Sequence, residues 1–346
     1  MTVRFPAEFE PHAATWIAWP HHEPDWPGKI EPIAWVYAEI VRVLAKYERV
    51  EVLCQNDDAR EAVRKTIEAH GAHDNYRLHV LATDRVWLRD SAPTGVVDEG
   101  GAVRLVNWRF NAWAKYENYA LDAKVGDAVA RITGLSRDEP TRPDTGDRVV
   151  LEGGAIDTDG AGTLLVTEEC LLSDVQVRNP GLTREGYERV FRDALGIRQT
   201  IWLGEGCVGD DTHGHVDDVA RFTAPGVITL AYEADPADDE NHRRSADNLE
   251  RLQLAGFDRG EYRVALLPFP RPVTMNGERL PASYANFYVA NGVVIVPTFN
   301  DANDRAALNT LADLFPGREV VGIHAVDLVW GLGTLHCLTQ QQPRGG

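Results

Sequence analysis

An α/β fold is predicted, and two observations carry the prediction. Short runs rich in Val, Ile and Leu alternate along the chain with stretches whose apolar residues recur at helical spacing. The polar segments between them recur at nearly even intervals. In chain order, strand character falls at residues 50–54, 77–83, 103–110, 148–151, 162–167, 197–203, 227–232, 262–267, 287–296 and 318–321, each short and aliphatic enough for buried or half-buried sheet. Residues 32–47 set Ile33, Val36, Tyr37, Ile40, Val43 and Leu44 on one helical stripe. Residues 57–70, with Asn56 placed to cap them, do the same with Ala62, Val63, Thr66 and Ile67. Residues 184–195, 239–254 and 303–315 complete the helices. Segments 20–27 (PHHEPDWP) and 140–147 (PTRPDTGD) read as loops.

Composition bounds the function. Of 346 residues, 44% are hydrophobic and 25% charged, a globular mixture that excludes disorder and fibres. Lys and Arg number 35 against 53 Asp and Glu, a net charge of −18. That balance argues against a nucleic-acid or anionic-membrane partner, whose phosphates need a basic face. It suits a cationic ligand, and equally suits plain solubility. The opening MTVRFPAEFEPH lacks the charged and apolar regions of a signal peptide, and no apolar run reaches the ~18 residues of a membrane span. Cys54, Cys170, Cys207 and Cys337 are widely separated and form no C-x-x-C, which suits a reducing compartment, so a cytoplasmic protein is expected.

Five polar clusters stand out: Arg89-Asp90, Glu152-Gly153-Gly154, the segment from His213 through His215 to Asp217, the segment from Ser283 to Asn286, and His336-Cys337. Measured from Asp90 through Glu152, His215 and Asn286 to Cys337, the gaps are 62, 63, 71 and 51 residues. Such spacing suggests repeated modules, each following a strand-like segment with a loop aimed at one centre.

Each cluster admits a chemical and a structural reading. Cys337 follows a glycine-rich stretch and precedes polar residues, the setting of a nucleophilic thiol, although a lone cysteine is also commonly structural. Cys54 and Cys170 end apolar runs and read as buried structural residues. His213, His215 and Asp217 would share one face of an extended segment. They could then hold zinc or manganese, supply an acid/base imidazole beside a carboxylate, or form a solvated acidic loop. Glu152 closes an apolar run and could reach into a site or stand as an ordinary edge residue. Trp87, Arg89 and Asp90 join an indole, which stacks on a guanidinium, to a carboxylate that can accept two parallel N–H bonds. The alternative is a surface Arg89–Asp90 ion pair beside a core tryptophan. Together, one thiol, one imidazole and three carboxylates suit attack on a guanidinium carbon, which is cationic and poorly electrophilic. A metal would be counterproductive beside such a substrate.

The segments MTVRFPAEFEPHAATWIAWP, VWLRDSAPTGV, VLEGGAIDTDGAGTLLVTEECLL, DDTHGHVDDVARF, PASYANFYVANGVVIVPTF and GLGTLHCLTQQQP resemble the agmatine deiminase family, which includes bacterial peptidylarginine-deiminase-like proteins. They run in chain order from residue 5 to residue 343, and GHVD, EGG and HCLTQQQP together are highly specific. The resemblance implies a single-domain α/β propeller over residues 1–346, of five ββαβ modules around a central site. It implies Cys337 as nucleophile, His215 as acid/base, Asp90 and Asp217 as the carboxylates gripping a guanidinium, and Glu152 as the carboxylate orienting the histidine. It further implies a small cationic guanidino substrate, most simply agmatine hydrolysed to N-carbamoylputrescine and ammonia. No metal or organic cofactor is implied, and a homo-oligomer is compatible with it.

Ala92, Leu332 and Thr334 depart from the family pattern at positions expected to shape the wall beside the thiol or the far end of the substrate. Peptidylarginine, arginine or another guanidine therefore stays open as substrate. Amidino transfer to an amine is the alternative outcome at the same centre. A metal-dependent amidohydrolase built on His213, His215 and Asp217, or a non-catalytic guanidinium binder, are the readings from other classes.

Overall fold

In the computed structural model, residues 2–258, 260 and 262–346 are described. The mixed α/β architecture is built from five separate sheets of three or four strands and one small hairpin, Thr274–Met275 with Glu278–Arg279. One pattern recurs in all five sheets: an antiparallel pair, then a helix, then a strand parallel to the second member of the pair. Asp157–Thr158 and Thr163–Thr167 pair antiparallel, the helix Arg184–Leu195 crosses over, and Gln199–Leu203 returns parallel. Ala220–Ala224, Val227–Tyr232 and Arg263–Pro268 repeat this around the helix Asp239–Leu254. Tyr288–Val289, Val293–Thr298 and Glu319–His324 repeat it around Asp304–Leu314. Thr94–Asp98, Val103–Val106 and Arg137–Asp138 do so around Val125–Thr133, with Val3–Arg4 added at the edge. The fifth sheet joins the chain ends: Gln340–Pro343 pairs antiparallel with His12–Ala18, which runs parallel to Arg49–Cys54 and then Tyr76–Val80.

The helices form where the periodicity placed them. Ile30–Leu44 buries Ile33, Tyr37, Ile40, Val41, Val43 and Leu44. It packs against Arg49–Cys54 of its own sheet and against Val293–Thr298 and Glu319–His324 of the neighbouring one, so its apolar stripe welds two sheets. Asn56 caps Asp57–Ala69 by accepting the Ala59 N–H at 2.8 Å. The core is contiguous from Trp16 and Tyr37 through Phe287 to Leu338, with further clusters beneath Tyr187 and Phe222. Among the described residues no helix is long and apolar enough to cross a membrane.

Several local expectations are corrected. Residues 287–296 are not one strand but a hairpin, closed by the Ala290 N–H on the Val293 carbonyl at 2.8 Å. Residues 148–151 make only isolated bridges, Arg109 to Val150 and Thr141 to Arg148. Cys170 lies in the short helix Glu168–Leu172, begun by Thr167 accepting the Cys170 N–H, and does not end a strand. The strands His12–Ala18, Thr94–Asp98, Ala220–Ala224 and Gln340–Pro343 and the helix Val125–Thr133 were not anticipated. Residues such as Gln340 and Gln341 carry little strand preference of their own and are extended because they pair with Trp16 and Thr15.

Candidate active site

Five short helical turns stand immediately before the first strand of each antiparallel pair. Leu88–Ser91 carries Asp90, and Gly153–Ala155 is entered through Glu152. Val216–Asp218 carries Asp217, Tyr284–Asn286 carries Asn286, and Leu335–Leu338 carries Cys337. Each turn packs on the next, and Leu335–Leu338 packs back on Leu88–Ser91, so the turns close a ring. The even spacing of the polar clusters is the spacing of these turns. Each turn follows the extended end of one sheet, as expected, and leads directly into the first strand of the next antiparallel pair.

Cys337 is 6% exposed, and its Sγ lies 3.1 Å from Asn286 Nδ2 and 3.7 Å from Asp217 Oδ2. Asn286 Oδ1 accepts from the Thr334 hydroxyl at 2.8 Å and from the His336 and Cys337 N–H groups at 3.0 and 3.3 Å, clasping the turn that carries Cys337. Burial pushes the Cys337 thiol well above the ordinary range, and the Asp217, Asp218 and Asp90 carboxylates push it the same way.

Asp217 gives one oxygen to His336 Nδ1 at 2.6 Å, and its other oxygen, Oδ1, has no protein partner. His336 Nε2 meets Glu8 Oε2 at 2.8 Å, and Glu8 in turn accepts from Arg89 at 3.0 Å and Arg221 at 2.8 Å. Although burial opposes it, Arg221, His336 and Arg89 hold the Glu8 carboxyl well below its usual range.

His215 is 1% exposed and lies between two carboxylates without a hydrogen bond to either: Nδ1 is 3.8 Å from Asp90 and Nε2 is 3.7 Å from Glu152. Its backbone is pinned by Asp210 Oδ2, which accepts from the His215 and Gly214 N–H groups at 2.9 and 2.8 Å. Burial disfavours the imidazolium, but Asp90, Glu152 and Asp217 outweigh it and raise the His215 pKa to about 9. Asp90 moves to about 6 because burial and the neighbouring carboxylates outweigh His215 and the Trp113 N–H on its Oδ2 at 3.0 Å. Glu152 falls to about 2 because Arg178, 3.1 Å from its Oε1, overcomes burial with help from His215. Gly154 makes the cluster sterically feasible: a Cβ there would overlap His215 Nδ1 and lie 2.9 Å from Asp90 Oδ1.

A cavity of about 230 Å³ reaches this cluster. Asp90 and Cys337 lie on its wall with Trp87, Trp113, Tyr116 and Leu332, and Asp25, Asp211 and Arg85 add the charged part of the lining. The orphaned oxygens of Asp217 and Glu152 and both nitrogens of His215 are buried polar atoms without partners, the condition of groups arranged for a polar ligand.

Of the sequence-predicted residues, Cys337, His215, Glu152, Asp217, Asp90 and Trp87 are brought together, and His213 is not. The segment 213–217 is not extended: His213 has φ +65° and Val216–Asp218 is helical, so alternation does not apply. His213 Nε2 instead lies 3.0 Å from the Ser173 hydroxyl. Among the described residues the His/Cys/carboxylate groups close enough to share an ion are Glu152-Cys170-His215 and Asp217-Asp218-Cys337, so the donor set of His213, His215 and Asp217 is not assembled. Arg89 is 3% exposed and bonds Glu8, Gln341 and the His336 carbonyl, so the surface Arg89–Asp90 pair is also corrected. Thr334 holds Asn286, and Ala92 lies beside Trp16 and Gln340, away from the cavity; of the three departing positions only Leu332 lines it.

Glu8, Trp113, Arg178 and Arg221, and the part played by His336, were missed. Their partners lie far off in sequence (Glu8 and His336 are 328 residues apart), so only the even spacing, which did point to Asn286, offered any local signal.

The model of the Porphyromonas-type peptidyl-arginine deiminase family matches residues 4–343. The agmatine deiminase of Pseudomonas aeruginosa (strain LESB58) is 36% identical over 361 residues, covering 98% of this chain and 95% of that protein. The structure of Enterococcus faecalis agmatine deiminase superposes with a TM-score of 0.89 at 30% identity, over 99% of this chain and 96% of that one. A substrate-bound cysteine-to-serine variant of C. jejuni agmatine deiminase gives 0.87 at 28% identity, over 99% and 97%. An amidinotransferase from Microseira wollei, at 13% identity with a TM-score of 0.58 over 99% and 98%, shares the fold.

Proposed function

The chain belongs to the Porphyromonas-type peptidyl-arginine deiminase family, and we propose that it hydrolyses the guanidino group of agmatine to N-carbamoylputrescine and ammonia. The observation that carries this reading is one buried cluster of a thiol, an imidazole and three carboxylates, of which Cys337 and Asp90 line a narrow cavity. That set matches the needs of a guanidinium: anionic acceptors for its N–H groups, a sulfur nucleophile for its carbon, and an acid for the departing nitrogen.

Asp90 and the free Oδ1 of Asp217 accept the guanidinium N–H groups, and Trp87 flanks the plane. The substrate's positive charge offsets the carboxylates that hold the Cys337 proton in place, so the thiol releases that proton to solvent and the thiolate attacks the guanidinium carbon. His215, cationic below its pKa of about 9, protonates one nitrogen of the tetrahedral adduct. The C–N bond breaks, ammonia leaves, and an S-alkylthiouronium remains on Cys337. Neutral His215 then takes a proton from water as its oxygen attacks the same carbon. The C–S bond breaks, the ureido product departs with its extra proton passing to ammonia, and the Cys337 thiolate regains from solvent the proton it released. Glu152, kept ionised by Arg178, orients the imidazole through both turnovers of its proton.

The ring of five turns and the recurring hairpin–helix–strand order support a single propeller of five ββαβ modules, with the catalytic groups on its axis. Ammonia release measured across agmatine, arginine, a peptidylarginine and methylated arginines tests the function. Preference for agmatine with a ureido product sustains it. Transfer to an amine in place of water identifies an amidinotransferase, and silence on every guanidine refutes the reading.

A further inference from the structure

The loop beside the nucleophile carries a leucine where its backbone suits glycine. Leu332 has φ +69°, a left-handed conformation that a branched side chain rarely adopts. Its N–H donates to the Val329 carbonyl at 2.9 Å, which fixes the turn in that conformation. The residues on either side have no room for a side chain. A Cβ on Gly331 would lie 2.6 Å from Trp26 Cζ2, and one on Gly333 would lie 2.9 Å from Trp87 Cζ3 and 3.1 Å from Cys337 Cβ. Position 332 is therefore where this loop can present a side chain, and Leu332 lines the cavity that holds Cys337 and Asp90. Strain retained at a cavity wall, where glycine would relieve it, points to a use for the side chain.

The rest of the lining indicates that use. Trp87, Trp113, Tyr116 and Trp330 contribute four aromatic side chains to the wall. Its charged groups other than Asp90 are already engaged: Asp25 accepts from Arg85 at 2.6 Å, and Asp211 accepts from Lys115 and from the Tyr116 hydroxyl at 2.8 Å. An apolar isobutyl group in a cavity of about 230 Å³ favours a slender methylene chain and leaves little width for a branched one.

We infer that Leu332 is a specificity-determining residue that grips the unbranched alkyl chain of a guanidine and bars chains carrying bulky substituents beyond the guanidino group. The inference rests on the guanidine-hydrolase reading and adds the substrate class, linear alkylguanidines. Its test compares the wild type with Leu332→Gly and Leu332→Ala, using agmatine and the bulky, carboxylate-free Nα-benzoylargininamide. In both variants the KM for agmatine rises about tenfold with kcat changed less than about twofold, the split expected when uniform binding is lost. In both, the kcat/KM ratio of the benzoyl compound to agmatine rises about tenfold or more. The glycine variant, unstrained at this φ, melts no lower than the wild type. A ratio that stays within about twofold in both variants overturns the inference while leaving agmatine hydrolysis intact. A shift in the glycine variant alone also overturns it, because loop freedom would then be responsible. A wild type silent on both compounds and on every other guanidine overturns the function and this inference together.

Discussion

Replacing Trp113 by Phe probes the electrostatics of Asp90, the carboxylate proposed to clamp the substrate. Trp113 Nε1 donates to Asp90 Oδ2 at 3.0 Å, and the Gly154 N–H donates to Oδ1 at 3.1 Å. Phenylalanine keeps an aromatic ring against Phe110, whose centroid lies 5.3 Å away, while deleting the indole donor and part of the indole's bulk. That donor favours ionised Asp90, so its loss raises a pKa already at about 6. A hydrogen bond to a charged group contributes about 1.5–3 kcal/mol, and one pKa unit is about 1.4 kcal/mol. The predicted rise is thus about one to two units. Because the clamp needs ionised Asp90, the acid limb of kcat/KM for agmatine moves upward by that amount. The alkaline limb, set near 9 by loss of the His215 proton, stays in place. Ammonia release between about pH 5 and 10 then shows the variant about tenfold slower at pH 6 and within about twofold of wild type at pH 8.5. An equal loss at every pH would assign Trp113 a packing role only. Movement of the alkaline limb alone would refute the assignment of the limbs to Asp90 and His215.

Three further outcomes follow from the same geometry. Cys337→Ser lowers kcat by about 10³-fold or more while the melting temperature holds, since the near-isosteric change leaves packing intact; turnover at wild-type rates would exclude the nucleophile. Arg178→Met strands the fully buried Glu152 and lowers stability to urea by about 3–5 kcal/mol at pH 7. Because the folded Glu152 pKa is depressed to about 2 from 4.5, the stabilisation is complete above the higher value and lost as pH falls through the lower. The gap between wild type and variant therefore narrows in acid, and a gap independent of pH would refute the ion-pair origin. Gly154→Ala drives His215 from its place and costs about 10²-fold in kcat with the circular dichroism spectrum unchanged; wild-type kcat would show that the close approach is not needed.

Where a residue's chemistry is local, the sequence already contains it. The stripe from Ile33 to Leu44, the Asn56 cap and the aliphatic runs of the parallel strands each follow from side chains a few positions apart. The five clusters and their spacing follow as well, because a short turn that carries or adjoins polar residues precedes each antiparallel pair. Family motifs then assigned Cys337, His215, Glu152, Asp217 and Asp90 to a guanidine site. What the chain order could not determine is anything set by distance across the ring. Glutamines 340 and 341 become a strand only against Trp16 and Thr15, and His213 leaves the site because a left-handed turn, not an extended segment, carries it. Glu8 meets His336 from 328 residues away, and Arg178 meets Glu152 with both side chains fully buried. Ionisation states are decided there too: burial strips water from Asp90, Glu152, His215 and Cys337 and leaves neighbouring charges to set which of them hold protons.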